Sequence, residues 1–109
     1  MTLDDLRRRI PVEDQASYDA AYAEAVAAER LGDAVHRLRA AAGLSESALA
    51  VRMGVDASEV ERAEEGDPAT PMAFFLRLCR ALGVSLTVAL GDAVVDMGQW
   101  RLPDDGARA

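Results

Sequence analysis

Apolar residues recur at helical intervals through the middle of the chain and switch to strict alternation near its end. Over Ser45–Met53, Leu49, Ala50 and Met53 fall on one face, Ser45 suits the N-cap, and Gly54 is placed to stop the helix. A further short helix opens at Asp56 or Ala57 and runs to Glu65, with Val60 as apolar anchor and Gly66 as stop. Asp67-Pro68-Ala69-Thr70-Pro71 is a loop by composition. The most apolar helix spans about residues 72–82, where Phe75, Leu78, Cys79 and Leu82 share a face, flanked by Phe74 and Leu76. After Gly83 the period becomes two: Leu86, Val88 and Leu90 alternate with Ser85, Thr87 and Ala89. Gly91-Asp92 then reads as a hairpin turn with glycine first. Pairing outward from it sets Leu90 against Ala93, Val88 against Val95 and Leu86 against Met97, an apolar pair each time and always on the same face. A lone ribbon is marginal in water. That face is therefore expected either to cover the helices or to join a second copy, with Trp100 placed to close it.

Upstream, Glu13 to Arg30 is almost pure helix former, with Tyr18, Tyr22, Ala25, Val26 and Glu29 spaced by three and four. The stripe is thin, so this helix needs a neighbour, either its own domain or a partner. Gly32-Asp33 interrupts the helix or merely weakens it. Ala34–Ala42 follows, with Val35, Leu38 and Ala42 inward and Gly43 as stop. His36 has no acid–base partner close in sequence and reads as a surface or half-buried histidine rather than a ligand. The expected organisation is an N-terminal segment with an amphipathic helix (1–30), a helical domain (31–84), a strand or hairpin (85–99) and a tail (100–109).

Charge and composition narrow the function. The 109 residues hold 19 acidic and 12 basic side chains, a net charge of −7, and no long segment is a basic nucleic-acid arm. Arg7-Arg8-Arg9 reads as a solvated terminus or, more sharply, as a phosphate-contacting arm. Every basic residue is arginine, which fits coding bias or a need for forked recognition of phosphate or carboxylate. No apolar run is long enough to span a membrane, and the opening residues are not a secretory signal. The single cysteine, Cys79, fits a reducing cytosol and a core position. No nucleophile–base pair, metal cluster or phosphate-binding glycine loop is present, so the expectation is no enzyme, no cofactor and no metal.

Helix 45–53, the link Gly54-Val55 and helix 56–65 have the dimensions of a helix-turn-helix: small Ala50 at the crossing, glycine in the turn, Val55 and Val60 pinning the second helix. Leu44-Ser45-Glu46-Ser47-Ala48-Leu49-Ala50-Val51-Arg52-Met53-Gly54-Val55, followed by Ser58-Glu59-Val60-Glu61-Arg62-Ala63-Glu64-Glu65-Gly66, resembles the lambda-repressor-like (Xre) DNA-binding family. Phe75 to Val84 resembles the family's later helix, so the likeness covers about residues 31–84. The leading helix, the small size and the strand 85–90 resemble the HigA-type antitoxins within it. The fold class implied is mainly α: a lambda-repressor-like helix-turn-helix bundle with an extra N-terminal helix and a C-terminal β-strand or hairpin.

That resemblance implies roles for single residues. Arg39 and Glu64 stand where the family has a structural ion pair. Ala57, Ser58, Glu61 and Arg62 stand where it reaches base edges, and Glu46, Ser47 and Arg52 where it touches the phosphate backbone. It implies operator DNA, a homodimer and a basic, usually RNA-cleaving toxin as partners, with Tyr18, Tyr22 and Val26 the candidate toxin contacts. The chain also departs from the pattern. Glu46 replaces the usual glutamine, and Asp56, Glu59, Glu61, Glu64 and Glu65 surround Arg62, with Asp67 in a loop that is often basic. Acids facing a duplex oppose the phosphate neutralisation that supplies most DNA affinity. A helix-turn-helix adaptor that binds protein rather than DNA is the alternative.

Overall fold

The computed structural model describes Thr2, Asp4, Asp5, Arg8 and residues 12–98, with the side chains of Val12 and Glu13 left aside. The expectations for Arg7, Arg9, Trp100 and the tail lie outside the described residues. Arg8 itself pairs with Asp5 at 2.8 Å, an exposed contact one turn away in sequence.

The first long element, α1, runs unbroken over Val12–Ala41. Gly32 does not interrupt it. A Cβ built on Gly32 would lie 2.6 Å from the Ala63 carbonyl oxygen and 2.8 Å from that of Glu64. The glycine is where α1 passes hard against the end of another helix, a packing reason that outweighs its poor helix propensity. Gly32→Ala gains about 1 kcal/mol of propensity but must push two backbone carbonyls aside. A net loss of about 1–2 kcal/mol is expected, readable as a lower midpoint in urea with an unchanged slope.

Ala28, Gly32 and Val35 form the line along which α1 is buried. Tyr18, Tyr22 and Val26 lie on a different side of the helix: Tyr18 and Val26 are half-buried and Tyr22 is exposed. Ala42, expected inward, is exposed beyond the end of α1, because the chain there is already turning toward Gly43.

Three short helices complete the bundle: α2 (Glu46–Met53), α3 (Ala57–Glu64) and α4 (Met72–Leu82). Val35, Leu49, Ala50, Met53, Val60, Ala63, Phe74 and Leu78 make one core, so all four helices contribute to it. Phe74, not Phe75, is the inward aromatic of α4. Phe75 is half-buried and meets Phe74 edge to face, with ring centroids 5.6 Å apart. Two adjacent aromatics compete for one stripe, and the docking of α4 on α2 decides between them. Cys79 is buried, and burial pushes its thiol pKa up, which keeps it a packing residue rather than a nucleophile.

The terminal strands are β1 (Thr87–Leu90) and β2 (Ala93–Asp96), an antiparallel hairpin. Leu90 faces Ala93 and Val88 faces Val95, and the Met97 N–H donates to the Leu86 carbonyl at 2.8 Å, which is the register expected from the alternation. Gly91 has φ +62°, as a glycine-first turn requires, and no residue other than glycine among those described has positive φ. The ribbon is covered only at its root: Leu86, Val88 and Met97 are half-buried, whereas Leu90, Val94 and Val95 are 66, 70 and 41% exposed.

Candidate nucleic-acid interface

Local chemistry fixes the two helices of the site before any long-range contact. Ser45 caps α2, its Oγ accepting the Ala48 N–H at 3.0 Å. Gly54 ends α2 in the left-handed conformation. At the start of α3, the Asp56 N–H donates to Glu59 Oε2 at 2.8 Å, the reciprocal arm of a capping box. Asp56 and Glu59 carry that signature in the sequence at its ordinary spacing of three.

Burial then sets which way α3 faces. Val60 and Ala63 point into the core, so Ala57, Ser58, Glu61 and Arg62 fall on the exposed side, with Glu65 beyond them. On α2, Ser47 and Arg52 are exposed and Glu46 is half-buried. The residues expected at base edges therefore share one outward strip of α3.

The C-terminal end of α3 is tied to α1. Arg39 Nε donates to Glu64 Oε2 at 2.6 Å and Nη2 to Oε1 at 2.9 Å, a two-pronged pair with side chains 15% and 8% exposed. Arg39 Nη1 also donates to the Leu44 carbonyl at 2.9 Å, so one guanidinium joins α1, the turn after it and α3. The Arg39 hydrogen bond holds the Glu64 carboxyl below the usual glutamate range, against burial, which pushes it up. The Arg39 guanidinium is held more firmly protonated by the same bond. His36 Nδ1 lies 3.0 Å from Glu64 Oε1. That contact joins residues far apart in the chain and has no signature in sequence.

A pH dependence follows from Glu64. Its native pKa is depressed, so its stabilisation is present in full above the ordinary glutamate pKa and is lost as the pH falls below that value and through the lowered one. Glu64→Gln is expected to lower stability at neutral pH and flatten the acid limb of the stability curve between about pH 5 and 3, measured by urea unfolding at each pH.

Three acids that were expected to oppose DNA are occupied within the protein. Glu59 is engaged in the cap, Glu64 under Arg39, and Asp67 Oδ1 accepts the Ala69 N–H at 2.8 Å within its own loop. The acids left on or beside the outward strip are Glu61 and Glu65, next to Arg62, while Asp56 stands at the head of the helix in the capping box. Arg77 reaches the Gly54 carbonyl at 3.4 Å and steadies the turn from α4.

Two short helices crossing at a glycine turn, the second exposed along one side and anchored at its far end, define a helix-turn-helix protein. The chain belongs to the helix-turn-helix domain family, whose model matches residues 30–90. That span opens inside α1 and closes at the end of β1, leaving the first turns of α1 and all of β2 outside it. No curated protein matches the chain. Among the described residues, no helix is long and apolar enough to cross a membrane, and no three metal-ligating side chains come together.

Proposed function

We propose that this chain is a DNA-binding transcriptional regulator of the antitoxin kind, acting as a dimer in the bacterial cytosol on an operator near its own gene. The observation that carries the DNA reading is the outward strip of α3, where Ala57, Ser58, Glu61 and Arg62 are exposed together on a helix clamped by Arg39 and Glu64. Arg62 makes the bidentate contact to a guanine, Ser58 an adaptable hydrogen bond, and Glu61 accepts from a cytosine amino group. Ser47 and Arg52 meet the phosphates, with Glu46 beside them at the position where the family has glutamine. Two copies set their recognition helices one duplex turn apart.

The toxin partner is a small basic protein that cleaves RNA, and α1 is the element offered to it. Tyr18, Tyr22 and Val26 sit off the buried line of α1, and Tyr22 is 48% exposed. The chain's net charge of −7 favours encounter with a basic surface.

The test is a mobility-shift titration against DNA upstream of the gene. The wild type is expected to give a complex that weakens steeply as salt rises. Arg62→Ala, with unchanged circular dichroism, is expected to bind about tenfold or more weakly, given about 1–3 kcal/mol per bidentate base contact. A second reading, a helix-turn-helix adaptor for protein, draws on the exposed Glu61 and Glu65 next to Arg62, with Asp56 at the head of the same helix. Absence of any shift at low salt, with and without the adjoining gene's product, selects it. An adjoining reading frame whose small basic product co-purifies supports the antitoxin role, and a free-standing gene removes it.

A further inference from the structure

The hairpin ends in an edge that nothing within the described chain completes. Leu90 pairs with Ala93 beside the turn, and the Met97 N–H bonds to the Leu86 carbonyl, so residues 86, 88 and 90 direct their backbone groups toward β2. In an antiparallel ladder the residues between them must point theirs away. Thr87 and Ala89 therefore offer N–H and C=O groups along the free side of β1, and both residues are exposed. Among the described residues no other backbone group bonds to them.

An uncovered edge of apolar side chains is a template for another strand, and proteins ordinarily blunt such edges with charge or proline. β1 has neither: it reads Thr-Val-Ala-Leu in a chain of net charge −7, whereas β2 ends on Asp96. An uncharged strand is the place where two strongly acidic copies meet with least repulsion. The edge is also self-complementary. With a two-fold axis at Val88, Thr87 of each copy exchanges backbone hydrogen bonds with Ala89 of the other. Leu86 then faces Leu90, and Val88 faces Val88. Moving the axis to Ala89 sets Leu86 against Asp92 and loses that match.

We propose that two copies join through the free edges of β1, antiparallel about Val88, into one four-stranded sheet ordered β2-β1-β1-β2. The exposed Leu90 and Val95 then lie on one continuous apolar face, and three or more strands with such a face are what a ribbon needs for stability. This deepens the dimeric reading above by naming its interface. Its test uses no DNA, so the two fail separately.

Sedimentation equilibrium of the intact chain is expected to give twice the 11.6 kDa chain mass. Ala89→Pro removes an outward N–H and leaves the β1–β2 ladder whole, so it is expected to halve the mass while keeping the helical circular dichroism. Val88→Cys is expected to cross-link two chains in air, because facing residues at such a pair lie about 4.5 Å apart, within disulfide reach. Val95→Cys, with two strands between it and its counterpart, is not, and the wild type controls for buried Cys79. A wild type of single-chain mass overturns the proposal. So does a Val95→Cys cross-link that forms in place of the Val88→Cys one. If Ala89→Pro fails to fold, the cysteine pair alone decides.

Discussion

Arg39→Ala is expected to cost about 3 kcal/mol of stability, the lower part of the range for breaking a buried ion pair. The loss arises from what remains. Glu64 stays 8% exposed with its carboxylate stripped of two charge-assisted hydrogen bonds, and the Leu44 carbonyl loses its donor as well. In a domain of this size that lowers the melting temperature by roughly 10–20 °C. The double variant Arg39→Met with Glu64→Leu is expected to recover most of it, since replacing both partners by apolar groups leaves no orphaned charge. If the single variant melts like the wild type, the clamp contributes nothing and α3 is held by its apolar side alone. Melting followed by circular dichroism separates these outcomes.

Phe74→Ala is the second large effect, at about 3–4 kcal/mol for a buried aromatic truncated to alanine. Phe74 is 5% exposed and belongs to the same core as Leu49 and Val60, so the void opens between α4 and the two site helices. It also lines a shallow groove with Glu59, Arg62, Thr70 and Pro71, directly beside the outward strip of α3. A loss of DNA affinity larger than the unfolded fraction explains is therefore expected at a temperature where the variant is still folded. Phe75→Ala, at a half-buried ring, is expected to cost less than half as much. Equal losses at both positions would contradict the placement of Phe74 as the inward ring.

The helix-turn-helix and the hairpin were legible in sequence because short-range rules write both. Ser45 and Gly54 bound α2, apolar spacing orients α2 and α3, and a glycine-first turn fixes a strand register through a period of two. The outward side of α3 could be read because Val60 and Ala63 leave it no other orientation. Other features depend on docking, which periodicity does not encode. Which of two adjacent phenylalanines turns inward is one. That α1 is buried along Ala28, Gly32 and Val35, beside and not along its tyrosine stripe, is another. The proximity of His36 to Glu64 depends on two helices meeting. The acids on α3 weigh against DNA in a composition count because such a count does not register that Glu59 is a cap, whereas Glu64 is already expected in its ion pair with Arg39.

The 30 residues of α1 form a single rod, about 45 Å long at about 1.5 Å per residue. Its glycine sits not at a hinge but at a close contact, against the carbonyls of Ala63 and Glu64 that close α3. A rod with its fulcrum there has no joint in which to dissipate a load. A partner bound at the tyrosine end of α1 would work a lever whose short arm bears on α3, so torque would arrive as a tilt of α3 and not as a bend in between.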